Sequence, residues 1–309
     1  MKILLINVLK KNFGMLKPDY PVYILSKGRA DNCLTAKFMV EDKCDFYLVV
    51  EVQEYEDYKR NFPDSNILVL PPESTGGGAI PVRNWIWKHS ESLGFKKHWE
   101  FDDNIRNIGR LHRGKRIRCN ANIGIKVVED FTDRYTNIAI SGFNYQMFVM
   151  NDTQKPFVKN CHVYSGMLID NSIPYKWRLK YNADTDLCLQ VLTNNLCTVQ
   201  FNAFYIDKQA TMTMKGGNTD RYKENGRYQM ARTLEEIWPD HVETKWRFGR
   251  AQHVIKGNWR YFTQPLIRRS DIDWDEISNK KYKIGLKQVE DTKSKSLKDY
   301  KKNYDKDNN

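Results

Sequence analysis

The chain has 309 residues, 40% of them hydrophobic, enough to bury one large α/β domain or two small ones. Fifty basic against thirty-eight acidic residues leave a formal net charge of +12, which favours polyanionic partners such as nucleic acid. No apolar run approaches membrane-spanning length and the start Met1-Lys2-Ile3-Leu4-Leu5-Ile6-Asn7-Val8 is too short and wrongly flanked for a secretory signal, so a soluble, cytoplasmic protein without a membrane partner is expected.

Residues 21–26 read as a buried strand that ends at Lys27-Gly28-Arg29, and residues 32–40 as the helix that follows. A second strand over 46–51 precedes a charged helix over 54–61, and a third over 67–70 stops at Pro71-Pro72. Strands alternating with helices imply a parallel sheet with right-handed crossovers. Gly76-Gly77-Gly78 suits a backbone that approaches a ligand and equally suits a hinge. The helix after it, 80–93, carries Arg83 and Asn84 in its first turn, at the end that attracts anions, which makes Arg83 a candidate for a diphosphate or sugar.

The strand His98-Trp99-Glu100-Phe101 delivers Asp102, Asp103 and Asn104 to its carboxyl end, where open α/β sheets place their ligand crevices. These oxygens suit a hard divalent cation carrying a diphosphate, and they equally form a polar turn. Arg106, Arg110, Arg113, Lys115, Arg116 and Arg118 concentrate charge in a basic loop that is the first candidate surface for DNA. Further strands are expected over 138–142, 161–169 and 199–206, with His162 a satisfied core residue. Asp184 and Asp186 open an apolar helix ending at Leu192, a placement that capping explains as well as catalysis does. Trp177 and Arg178 join an aromatic ring to a charge and suit stacking on a displaced base. Lys215-Gly216-Gly217-Asn218 forms a glycine-bearing loop before a helix over 221–238. From Lys280 onward the tail holds ten lysines against five acids, suiting either solubility or an auxiliary role in binding. Six scattered cysteines without metal-ligand spacing predict reduced, mostly buried thiols and no zinc. The expected division is an extension over 1–19, one domain over 20–270 and a basic tail over 271–309, with no internal repeat.

The order of these pieces resembles a GT-A nucleotide-sugar glycosyltransferase, with Asp102-Asp103-Asn104 standing as a DxD element that departs from the pattern at its last position. More narrowly, Tyr23-Ile24-Leu25-Ser26-Lys27-Gly28-Arg29, Gly76-Gly77-Gly78, Pro81-Val82-Arg83-Asn84, Phe101-Asp102-Asp103-Asn104 and Lys215-Gly216-Gly217-Asn218 are similar to the phage TET-associated glycosyltransferases, over roughly residues 20–260. The resemblance implies an α/β, GT-A-like domain with a mostly parallel sheet flanked by helices. It implies transfer from a nucleotide sugar, UDP-linked, to the hydroxyl of a 5-hydroxymethyl pyrimidine such as 5-hydroxymethylcytosine in phage DNA, in the host cytoplasm, with Mn2+ or Mg2+ as cofactor. It assigns the donor to Ser26, Lys27, Gly28, Arg29, Glu51, Arg83, Asn84, Asp102, Lys215, Gly216 and Gly217. It assigns the metal to Asp102, Asp103 and Asn104, with His253 approaching from the carboxyl-terminal region. The general base becomes Asp184, with Asp186 second, and Ala183 stands where a further acid is common. Two other readings stay open: transfer to a carbohydrate or protein acceptor, and a non-catalytic DNA-binding module on a degenerate transferase scaffold.

Overall fold

The structure, a computed structural model, describes residues 16–150, 154–209 and 226–275. Ten strands form one sheet in the order β3-β2-β1-β4-β9-β7-β10-β5-β6, with β8 pairing β10. The first four are β1 (Val22–Leu25), β2 (Tyr47–Val50), β3 (Asn66–Val69) and β4 (Lys97–Asp102), all parallel to one another. The remainder are β5 (Ile105–His112), β6 (Lys115–Cys119), β7 (Ile138–Tyr145), β8 (Phe157–Lys159), β9 (Gly166–Asp170) and β10 (Cys197–Lys208). Following the ladders, β6, β7 and β10 run with the first four, while β5, β8 and β9 oppose them, so seven of ten strands share one direction. The α/β class with a mostly parallel sheet flanked by helices is therefore the one observed.

Helices cover both faces. On one side α1 (Leu34–Glu41) and α4 (Ala121–Thr132) pack Phe38, Met39, Ile125 and Val128 with Trp99 and Phe101. On the other, α3 (Ala79–Ser92) and α5 (Ala183–Leu192) bury Ile86 and Trp87 and the run Leu187 to Leu192 against the sheet. Between β2 and β3 lies α2 (Tyr55–Asn61), and α6 (Gly226–Ile237) packs beneath a separate antiparallel hairpin, β11 (Val242–Arg247) and β12 (Arg250–Ile255). No described helix is long and apolar enough to cross a membrane. All six cysteines are free, five of them buried.

Strand direction places the site. Leu25 pairs with both Val49 and Asp102, so Ser26, Glu51 and Asp103 leave the sheet in one row. Tyr145 and Lys208 emerge at the same edge because β7 and β10 run with β4, and Ser165 arrives there because β9 runs against it. This junction is tight. A Cβ on Gly142 would lie 2.2 Å from the Gly166 carbonyl oxygen, so only glycine lets β7 approach β9 this closely.

Three expectations change. The basic stretch 106–118 is the β5–β6 hairpin rather than a loop, since Ile105, Ile108 and Cys119 give it a buried face. Residues 161–165 are loop, with strand only from Gly166, so His162 is not in the core. The β11–β12 hairpin lies beyond the last element read from the sequence; its alternation is masked by polar residues on the inward face, Thr244 and His253 among them.

Before β1, the chain is tied to α4 by Glu129, which accepts from the backbone N–H groups of Asp19 (2.8 Å) and Tyr20 (3.2 Å) and from Trp99 Nε1 (3.0 Å). Burial pushes its carboxyl up to about 7 in spite of these donors. A folded value above the unfolded one contributes stability that is complete below about pH 4.5 and is lost as pH rises through about 7. Glu129→Gln is expected to flatten the pH dependence of urea stability across that window; an unchanged slope would refute this role.

Candidate active site

Period-two alternation along β4 sends His98, Glu100 and Asp102 to one face and Trp99, Phe101 and Asp103 to the other. Glu100 is wholly buried in mid-sheet and needs partners, because an unpaired internal charge is prohibitively costly. It accepts from His98 Nε2 (3.1 Å), Trp177 Nε1 (3.1 Å) and Arg83 Nη1. The same guanidinium donates its second arm to Asp102 Oδ1 (3.0 Å) and lies 4.6 Å from the Trp177 ring centre. Behind it, Asn84 Nδ2 donates to the Trp177 carbonyl (2.7 Å).

Asp102 also accepts from Lys208 Nζ (2.7 Å), which reaches Ser165 Oγ (2.7 Å) and the Tyr145 hydroxyl (3.2 Å) as well. Burial disfavours the Asp102 carboxylate, but Lys208 and Arg83 outweigh burial and hold its pKa below the ordinary range. On the opposite face Asp103 accepts from Ser26 Oγ (2.8 Å) and Arg29 Nη1, yet burial raises its pKa above the ordinary value. Thr35 at the start of α1 clamps the turn: its hydroxyl donates to the Asp102 carbonyl (2.5 Å) and its N–H to that of Asp103 (3.2 Å). Across the row, Glu51 binds Lys27 Nζ (2.7 Å) and accepts from the Gly76 N–H (3.1 Å), anchoring the glycine loop to the end of β2. Gly28 N–H donates to Glu54.

The strand-end groups line a cavity of about 520 Å³. Ser26, Lys27, Arg29, Glu51, Arg83, Asp102, Asp103, Asn104 and Asp184 all face it, whereas Gly28 and Asn84 support its wall. Lys215, Gly216 and Gly217 lie outside the described residues. Tyr145, Ser165, Lys180, Tyr181 and Lys208 also line it and went unread in the sequence. Lys208 had a signal: it ends a long apolar strand just as Asp102 does.

At the far wall, Asp184 stands in the first turn of α5, entered through Asn182 in a left-handed conformation (φ 51°). Its Oδ1 accepts from the Thr185 N–H (2.8 Å) and its Oδ2 lies 3.3 Å from His162 Nε2. Burial opposes its charge, but the His162 contact and the Thr185 N–H prevail and hold its pKa well below the carboxylate range. His162, expected in the core, is thus a neighbour of Asp184. His253 Nε2 lies 3.5 Å from Thr185 Oγ1, which places it with Asp184 and His162; burial drives its pKa down to about 4. Asp186 is fully buried and saturated by Arg178, Trp238 Nε1 (2.8 Å) and Gln190 Nε2 (2.8 Å), so it anchors α5 and does not reach the cavity. Arg178 is correspondingly held on Asp186. Trp177, 2% exposed, is a wall beneath Arg83 and has no face open to a displaced base.

The residues expected to hold a divalent cation do not fit one as arranged. Each oxygen of Asp102 and Asp103 already accepts from Arg83, Lys208, Arg29 or Ser26; only the buried Asn104 Oδ1 lacks a partner. Among the described residues, no group of three or more His, Cys, Asp or Glu is placed to hold a metal. Of the basic hairpin, Arg106 pairs with Asp207 (3.2 Å), Arg116 donates to the Val149 carbonyl (2.7 Å) and Arg118 pairs with Asp42 (2.8 Å). Among the described residues, the ion pairs of this hairpin are those of Arg106 and Arg118.

Residues 20–217, which carry every cavity group except Met230, match the model of the TET-Associated Glycosyltransferase family. The chain belongs to that family. It is a glycosyltransferase, with the α/β architecture and mostly parallel central sheet expected of it. Among solved structures it is similar to a Desulfovibrio desulfuricans G20 protein assigned as a nucleotide-diphospho-sugar transferase, at 8% identity and a TM-score of 0.35, covering 71% of this chain and 96% of that one. No curated protein matches the chain.

Removing Arg83 from this glycosyltransferase would leave Glu100 buried without its guanidinium, held by His98 and Trp177 alone. Arg83→Ala is therefore expected to cost about 3–5 kcal/mol of stability, measured by chemical denaturation; a loss below about 1 kcal/mol, typical of exposed pairs, would show that Glu100 does not depend on it.

Proposed function

We propose that this glycosyltransferase moves a sugar from a UDP-linked nucleotide sugar to the hydroxyl of a 5-hydroxymethyl pyrimidine, 5-hydroxymethylcytosine first, in DNA. Residues 20–270 form the catalytic unit in this reading. The supporting observation is the polarity of the cavity: Lys27, Arg29, Arg83 and Lys208 line the row of strand ends, while Asp184 on the far wall is the one lining carboxylate that, among the described residues, has no lysine or arginine partner. The cations suit a diphosphate, whose negative charge grows as the bond to the sugar breaks. Asp184, a third exposed on the cavity wall and held in place by His162, is positioned to accept the acceptor hydroxyl's proton. The family's name and the net charge of +12 favour a DNA acceptor over a carbohydrate or protein. No step passes through a metal, because the carboxylates at 102 and 103 are already occupied by cations and Ser26.

Oligonucleotides carrying cytosine, 5-methylcytosine or 5-hydroxymethylcytosine, incubated with a panel of nucleotide sugars and analysed by nucleoside mass, test this reading. A glycosyl mass gain confined to the hydroxymethylated base is expected; transfer only to carbohydrate or protein would overturn the acceptor. Asp184→Asn should fold and bind donor normally but lower turnover by about 10²–10⁴-fold, and normal turnover would make Asp184 a helix cap. Lys208→Met should lower kcat by at least about tenfold, within the range of single transition-state electrostatic contacts; a change in KM alone would restrict Lys208 to binding.

A further inference from the structure

The β11–β12 hairpin carries features that folding does not explain. Its two-residue turn is Phe248-Gly249, both with positive φ (51° and 69°), a turn normally filled by Asn or Asp before glycine. Phe248 is 91% exposed and Trp246 74%, among the most exposed large apolar side chains described. Arg247 and Arg250 face each other directly across the strands next to the turn, a like-charge pairing that works against the hairpin. These costs make sense when a polyanion with stackable rings lies across the tip, since it bridges the two guanidinium groups and covers the aromatics. Residues of the outward face, Lys245 and Arg247 among them, continue from the tip into a second cavity of about 460 Å³ that ends at His162 and Trp259. His162 is the group that touches Asp184, so the hairpin surface and the catalytic cavity meet there.

We propose that the β11–β12 hairpin is the DNA-engaging element of the enzyme, its Trp246–Phe248 tip stacking on or wedging between bases while Lys245, Arg247 and Arg250 hold phosphates, and that the trough behind it leads the target nucleotide to Asp184. The proposal rests on the DNA-acceptor reading. It gives the principal DNA contact to a segment outside the matched family region rather than to the β5–β6 hairpin.

The test uses the full chain as wild type, W246A/F248A and R247E/R250E. Binding of a fluorescent hydroxymethylated duplex is followed by anisotropy over a salt series, donor binding by calorimetry, and product by nucleoside mass. Removing both aromatics is expected to weaken DNA binding at least about tenfold with donor binding and thermal midpoint unchanged. The arginine variant should also reduce the slope of log K against log salt by about two. If wild type glycosylates DNA and both variants bind it as tightly as wild type, the hairpin proposal fails and the acceptor reading stands. If wild type neither binds nor modifies DNA but transfers to another acceptor, both fail together. Capture of wild type, but not W246A/F248A, by phosphatidylserine vesicles in place of DNA would assign the tip to a membrane surface and overturn the proposal.

Discussion

The site is organised around a carboxylate buried in the middle of a sheet. Glu100 has no solvent and three donors, and satisfying it dictates much of what surrounds the cavity. Arg83 must reach over the end of β4, which fixes the approach of α3; Trp177 must turn its indole inward, which fixes the segment before α5. With its guanidinium so held, Arg83 has its second arm in place on Asp102. Burial thus converts a flexible arginine into a positioned group whose orientation costs nothing further when a ligand arrives.

Asp102 and Asp103 are adjacent in sequence but belong to different halves of the molecule. Alternation directs Asp102 toward Arg83 and Lys208, contributed by α3 and β10, and Asp103 toward Ser26 and Arg29, contributed by the loop after β1. The turn itself is held by Thr35 from α1. In the proposed reaction, a ligand lying across the row would meet elements more than a hundred residues apart in the chain, brought together by the sheet.

Much of this was legible beforehand. The strand ends at Ser26, Glu51 and Asp102 and the helix start at Arg83 follow from apolar runs and their punctuation, because those signals are local. What was not legible depends on orientation. Asp184 and Asp186 share the first turn of α5 and the same chemistry, yet one faces the cavity and the other is locked by Arg178 and Trp238. Trp177 beside Arg178 looks like a binding pair, but a buried partner, Glu100, claims the indole. His162 comes into the site from a loop across the sheet, and nothing next to it in sequence marks its destination, whereas Lys208 is marked only by the strand end it occupies. The β11–β12 hairpin escaped because its strands alternate polar residues on both faces.

Among the described residues, five cations and four carboxylates line the cavity, and most of them are already joined. In the proposed reaction, ligand entry would be a substitution, in which a diphosphate takes over cations that the carboxylates now hold. The net attraction is the difference between two similar partnerships and is small for any simple anion. Inorganic phosphate, which offers charge but no further contact, gains little from such an exchange. A nucleotide sugar adds its ring systems and hydroxyls to the same phosphates, so in that reading the resting ion pairs would act as a filter that keeps the cavity free for the larger molecule.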